Sequence, residues 1–185
     1  GVLDQAQDPK IRRILGHPYS LNPRDDWSGP DGSDPRVVRF DRDLERWTHP
    51  FVMAAINSRI VRRSNALQHF AYGRDLQYSE ESCTKKGLAG WWRAQTTRAS
   101  LASFIGLAAT GWTRRRFINP RIPSPGEGPT PEQIEGGGFQ MLLVARAVGP
   151  EGEARRLLGV VEGRRDPGYG ETAKMLSEAA LCLAL

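Results

Sequence analysis

Cysteine is scarce in this chain of 185 residues: Cys83 and Cys182 are the only two, far apart, and they form no CxxC pair or zinc-ligand spacing. That excludes a disulfide framework and a zinc finger, and points to a reduced, cytoplasmic protein. Lysine is scarce too, at four of the 26 basic residues. The resulting arginine excess leaves a net charge of +5, but the arginines are scattered with acidic residues among them, and Arg114-Arg115-Arg116 is the one tight cluster. No zinc finger, RNP-type aromatic motif or basic zipper is present, so no nucleic-acid partner is expected. No secretory leader opens the chain, since Val2 and Leu3 are followed at once by polar residues. A chain that starts at Gly1 in this way is expected to be a fragment or a processed product. No apolar run approaches the roughly 20 residues that cross a bilayer; the longest, 101–112, is interrupted by Ser, Thr and Gly.

Chemical motifs are missing as well. A GxGxxG turn between strand and helix, a P-loop, HExxH and GxSxG are all absent, and His17, His49 and His69 have no metal-ligand spacing. No cofactor-binding residue and no metal are therefore expected on this chain. Glu80 and Glu81 are adjacent in an expected strand, so they point to opposite faces and cannot act as a paired acid and base.

What is present reads as alternating helices and strands. Residues 4–15 suit a short helix carrying Ile11, Ile14 and Leu15, ended by Gly16 and Pro18. Residues 18–35, with four prolines and several Asp turn signals, suit an exposed loop, and 36–40 a short strand. The best helix is 50–71, with Thr48 or His49 as cap, Pro50 in the first turn and Gly73 as stop. Its apolar residues Met53, Ile56, Ile60, Leu67 and Ala71 form one stripe and are expected to face the core, with Arg59, Arg62, Asn65 and His69 elsewhere. Residues 75–84 suit a strand. Residues 87–112, rich in Ala, Leu and Trp, suit a helix that packs normally or lies on a membrane, with Trp91, Trp92 and Trp112 as interface anchors.

Residues 119–138 are too rich in Pro and Gly for regular structure and suit a long surface loop. Residues 139–148 and 155–161 around Gly149-Pro150-Glu151-Gly152 read as a hairpin. From about Glu171 to the end runs a helix, with Asp166 or Thr172 as its cap. It is apolar almost all round after Lys174, so it calls for burial on every side. The fold class is α+β: a mixed or antiparallel sheet with helices packed on one face, in a single domain.

The run FVMAAINSRIVRRSNAL at 51–67, then Ala71-Tyr72-Gly73 and Tyr78-Ser79-Glu80, resembles the second domain of saccharopine dehydrogenase-like oxidoreductases, nearest the trans-acting enoyl reductase branch. Asp8-Pro9, His17-Pro18-Tyr19-Ser20-Leu21, the Pro123 to Pro129 loop and Asp166-Pro167-Gly168-Tyr169-Gly170 agree in order and spacing. The resemblance implies that 1–185 is a substrate-side and dimerisation domain whose partner is its own N-terminal Rossmann domain, absent here. It implies that NADP is bound mainly by that absent domain, with NADH the other choice. It further implies hydride transfer to an activated double bond of an acyl or lipid substrate, and a homodimer. Tyr72 and Tyr78 are the candidate catalytic groups; Asn57, Arg62 and Tyr169 are the candidate substrate-binding groups. The chain alone is expected to be inactive. The alternative is a non-catalytic dimerisation module, or a membrane-peripheral one.

Overall fold

The computed structural model describes residues 8–23, 28–118, 120 and 126–184. The chain divides into two compact units, Gly1–Arg121 and Ile122–Leu185. Both combine helices with antiparallel strands, so the α+β class holds and the sheets are antiparallel.

The first unit contains α1 (Pro9–Gly16), β1 (Arg39–Asp41), β2 (Arg46–Pro50), α2 (Ala54–Leu67), β3 (Glu81–Thr84), α3 (Leu88–Ala109) and the short α4 (Gly111–Thr113), which runs into a π-helical turn, Arg114–Ile118. The strands form one sheet in the order β1-β2-β3. Arg39 pairs with Thr48, and Thr48 with Cys83. Trp47 on β2 joins the sheet to α3: its ring meets Phe40 edge-on at 5.1 Å, and its indole nitrogen donates to the Gly87 carbonyl at 3.1 Å. The start of α3 also presses on β3, where the Thr84 hydroxyl donates to the Gly90 carbonyl at 2.8 Å. One turn further, Ala94 is fully buried.

Several boundaries differ from the sequence reading, each for a local reason. Residues 4–7 of the expected first helix lie outside the described residues. Thr48 and His49 are buried in β2 and cap nothing. Helix α2 starts only at Ala54, with Met53 at its N-cap and no side-chain cap. It stops at Leu67, not Ala71, because His69 and Phe70 both take positive φ and the Asn65 carbonyl accepts from the Phe70 amide. The expected strand 75–84 shortens to Glu81–Thr84, since the residues before it are bonded to the 31–34 loop and α2 and not to a neighbouring strand.

The faces of α2 reverse the expectation. Ala54, Ser58, Arg62, Asn65 and Ala66 are buried, while Met53, Ile56, Ile60 and Leu67 on the opposite side are exposed. The described part of the 18–35 loop is correspondingly not a free loop. Tyr19 and Asn22 are buried, and Asp31 and Asp34 bond to the polar face of α2. Residues 24–27 lie outside the described residues.

The second unit holds α5 (Pro131–Glu135), β4 (Phe139–Val148), β5 (Ala154–Gly163) and α6 (Gly170–Ala184). Thus the 119–138 stretch does contain regular structure; residues 119 and 121–125 of it lie outside the described residues. Thr130 and Gln133 close a reciprocal capping box, and Pro131 sits at the first helical position where its missing N–H costs nothing. The hairpin has the expected strands, slightly longer, in register from Phe139 opposite Gly163 to Val148 opposite Ala154. Asp166 does hold the start of α6: its carboxylate accepts from the Tyr169 amide at 2.6 Å and its carbonyl from the Glu171 amide at 3.0 Å. Thr172 instead donates to the Pro167 carbonyl. The apolar side chains Leu176, Leu181 and Leu183 on α6 are exposed, against the expectation of burial. No helix among the described residues is long and apolar enough to cross a membrane.

Gly90 packs tightly on the 85–87 turn that leads from β3 into α3, since a Cβ there would lie 1.7 Å from the Lys85 carbonyl oxygen. Gly90→Ala is expected to push the first turn of α3 off the 85–87 backbone and lower stability by roughly 1–3 kcal/mol or more, read as a fall in the urea midpoint at unchanged slope.

Candidate functional site

The first unit concentrates its polar chemistry where α2 meets the loop 28–35 and the segment 75–80. Arg62 is the centre. Its side chain is 4% exposed, and Nε lies 2.6 Å from the Asp31 carboxylate, itself 9% exposed. Nη1 donates to the Pro18 carbonyl at 3.0 Å and Nη2 to the Tyr78 carbonyl at 3.0 Å. The guanidinium also lies over the Tyr19 ring, 5.4 Å from its centroid. Asp31 in turn accepts from the Tyr78 amide at 3.2 Å, and its own amide donates to the Tyr19 hydroxyl at 2.9 Å. One turn back on α2, the Ser58 hydroxyl donates to Asp34 at 3.0 Å. A planar five-donor fork suits this position, because it can meet a carboxylate and two carbonyls in different directions at once.

Beside this anchor sits a second cluster. The Tyr78 hydroxyl donates to Glu80 Oε1 at 2.7 Å, and Asn57 Nδ2 donates to Glu80 Oε2 at 2.8 Å. Burial pushes the Tyr78 phenol up to about 12, helped by its hydrogen bond to Glu80 and by the charge of that carboxylate. Tyr78 therefore stays a neutral hydroxyl at physiological pH. Its donor hydrogen is aimed at Glu80 until something displaces it. Chemically, the cluster offers a phenol that can donate to a developing oxyanion and a carboxylate that can orient it.

The five expected site residues are thus distributed unevenly. Asn57 and Tyr78 meet through Glu80, and Arg62 holds the Tyr78 backbone from beneath. Tyr72 is exposed beyond the end of α2, where its amide donates to Asn65 Oδ1 at 2.9 Å. Tyr169 belongs to the second unit and is exposed at the start of α6. Sequence reasoning offered Glu80 as an acid/base or orienting group only against a core or loop role as the default, and read Asp31 and Asp34 only as turn signals. The i, i+4 spacing of Ser58 and Arg62, on the face opposite the apolar stripe, is the signal that could have found their acidic partners.

No group of three or more His, Cys, Asp or Glu residues that could hold a metal is found among the described residues. Nor do these residues fit a dinucleotide. Both sheets are antiparallel; of the three strand-to-helix turns, 51–53 carries no glycine, 85–87 only Gly87, and 164–169, with Gly168 before Gly170 of α6, follows a strand of an antiparallel hairpin and not of a βαβ unit.

The fold and site therefore define an α+β protein with an arginine-anchored polar cluster. The chain is similar to the trans-acting enoyl reductases of Mycobacterium tuberculosis and Mycobacterium bovis, each 35% identical over 190 residues. That of Mycobacterium ulcerans is 33% identical over 189 residues. In each case the match covers 97% of this chain and 44% of the relative, so the chain spans less than half the length of these proteins. No family model matches the chain, and no solved structure matches it.

Two outcomes test the site geometry. Arg62→Ala is expected to cost about 3–5 kcal/mol by stranding the buried Asp31 carboxylate, and Arg62→Lys to recover less than half of that, both read from thermal or urea unfolding. For Tyr78, the raised folded-state value means that its contribution to stability is fully present below about pH 10 and is lost as pH rises toward 12. The tyrosinate absorbance removed by Tyr78→Phe is accordingly expected to appear near pH 12, measured as a difference titration at the phenolate band; its appearance near pH 10 would refute the Glu80 contact.

Proposed function

We propose that this chain is the substrate-side part of a two-domain, NAD(P)-dependent enoyl reductase of the saccharopine dehydrogenase-like type, acting on an acyl or lipid substrate. The observation that carries this reading is the alignment of 97% of the chain with proteins named trans-acting enoyl reductases. The lack of a dinucleotide fit among the described residues accords with a cofactor held by another domain, the N-terminal Rossmann partner. A reduced nicotinamide, when bound there, supplies the hydride.

The chain's own part is electrostatic. When hydride reaches the β-carbon of an enoyl group, negative charge builds on the carbonyl oxygen. A neutral hydroxyl donor aimed at that oxygen stabilises it. Tyr78 is the best placed donor: it is neutral, half-buried and oriented by Glu80, which Asn57 steadies on its other oxygen. Arg62 acts as a positioning residue, since its donors hold Asp31 and the carbonyls of Pro18 and Tyr78. Tyr72 and Tyr169 are exposed and can contact substrate only from the rims of their own units.

A second reading has one specific observation in its favour. Met141, Leu143, Leu157 and Leu158 on the hairpin are exposed, and an isolated two-stranded hairpin is marginal in water. A non-catalytic dimerisation module would cover them with a second copy. Light scattering after size exclusion tests this reading, because it requires a dimer whatever the activity; a monomer would remove it.

The enzymatic test joins this chain to a nicotinamide-binding domain and follows NADPH oxidation with a 2-enoyl thioester. Turnover is expected only when both parts are present, and Tyr78→Phe is expected to lower kcat about 100-fold, the effect of losing one oxyanion donor. Full activity of the Tyr78→Phe protein would remove Tyr78 from the chemistry, and no turnover with any enoyl thioester would remove the reductase reading.

A further inference from the structure

The net charge of +5 conceals a local asymmetry. Between Glu81 and Glu127 the sequence has no Asp or Glu, while eight basic residues fall there, from Lys85 to Arg121. The arginines of this stretch are therefore not interleaved with acids, contrary to the impression given by the whole chain.

Much of this stretch forms one exposed surface of the first unit. In the last turns of α3, Leu101, Phe104, Ile105 and Ala108 recur at i, i+3, i+4 and i+7, which places them on one side of the helix. Ser103 and Gly106 lie on the other side, and Leu107, 41% exposed, flanks the stripe. Phe104 and Ile105 are more than half exposed, and Trp112 beyond them is 71% exposed. Trp112 meets Phe117 edge-on at 5.9 Å, and the Arg116 guanidinium lies 5.6 Å from the Phe117 ring centroid. Gly111, Trp112, Arg115 and Arg116 line an open hollow of about 460 Å³. Arg115 and Arg116 are exposed.

An apolar stripe, an aromatic residue with a polar N–H at its end, and adjacent arginines without acids are what an interfacial surface needs. We propose that residues 101–117 form a membrane-contact face that lies on an anionic lipid surface. The apolar stripe and Trp112 enter the boundary between headgroups and acyl chains, and Arg115 and Arg116 meet lipid phosphates. Charge complementarity selects this occupant. A second copy is disfavoured, since pairing the face with itself brings like charges together. Nucleic acid would satisfy the arginines but leave the apolar stripe in water. The proposal is independent of the reductase reading, because binding requires neither cofactor nor turnover.

Flotation of this chain with phosphatidylcholine vesicles, with and without phosphatidylglycerol, tests it. Binding is expected only to the anionic vesicles, to weaken with salt, and to shift tryptophan emission to the blue. Arg115→Gln with Arg116→Gln is expected to lower the partition coefficient roughly 25-fold, about five-fold per arginine removed. Arg155→Gln with Arg156→Gln, which removes the same charge from the hairpin, is expected to change it little. Trp112→Phe is expected to abolish most of the emission shift. Circular dichroism confirms that each variant is folded. The proposal is overturned if the folded chain floats with neither vesicle or equally with both, or if the two arginine pairs have equal effects. It is also overturned if vesicles are ignored while an acidic carrier protein is bound through Arg115 and Arg116.

Discussion

The Arg62 guanidinium gathers four separate parts of the first unit around one point: helix α2, the turn at Pro18, the Asp31 loop and the backbone at Tyr78. The large apolar side chains of α2, Ile56, Ile60 and Leu67, face away from this point and do not hold it. Burying a cation is costly, and the cost is offset only when its donors meet acceptors in good geometry. Here the geometry comes from three stretches far apart in sequence, so the arginine forces them to fold together or not at all. The Tyr78 and Glu80 cluster inherits its position from that constraint, because the same guanidinium holds the Tyr78 carbonyl and Asp31 holds its amide.

This arrangement gives the first unit an unusual interior. Ser58, Arg62, Asn65, Thr48 and His49 are buried, together with small apolar residues such as Ala54, Ala66 and Ala94. Larger apolar side chains on α2 and α3 face outward. The second unit shows the same outward bias on its hairpin and on α6. Polar directionality therefore fixes which surfaces close, and hydrophobic area remains available for association.

The chemistry that such an interior supports is restrained. Tyr78 is raised and neutral, so it suits donation to an oxyanion and not nucleophilic attack. Arg62 carries charge but is already engaged on several sides, which suits a positioning role better than direct grip on a substrate anion.

The existence of the main elements was legible in the sequence. Apolar periodicity marked α2, Ala- and Leu-rich composition marked α3, two strand-like runs around the Gly149-Pro150-Glu151-Gly152 turn marked the hairpin, and Asp166-Pro167 marked the start of α6. The pairing of Asn57 with Glu80, and of Arg62 with Asp31, was not legible, since the partners lie 23 and 31 residues apart and a single sequence gives no register between a loop and a helix face. The face of α2 was misread because periodicity reports which residues share a side, not which side is buried. Sequence by itself determined most of the helices, the hairpin and the α+β class, which depend on local pattern, while the central strand β2 stood where a helix cap was expected and α5 where no regular structure was. Only the tertiary structure decided that the polar side of α2 turns inward, because that choice rests on directional hydrogen bonds to acceptors distant in the chain.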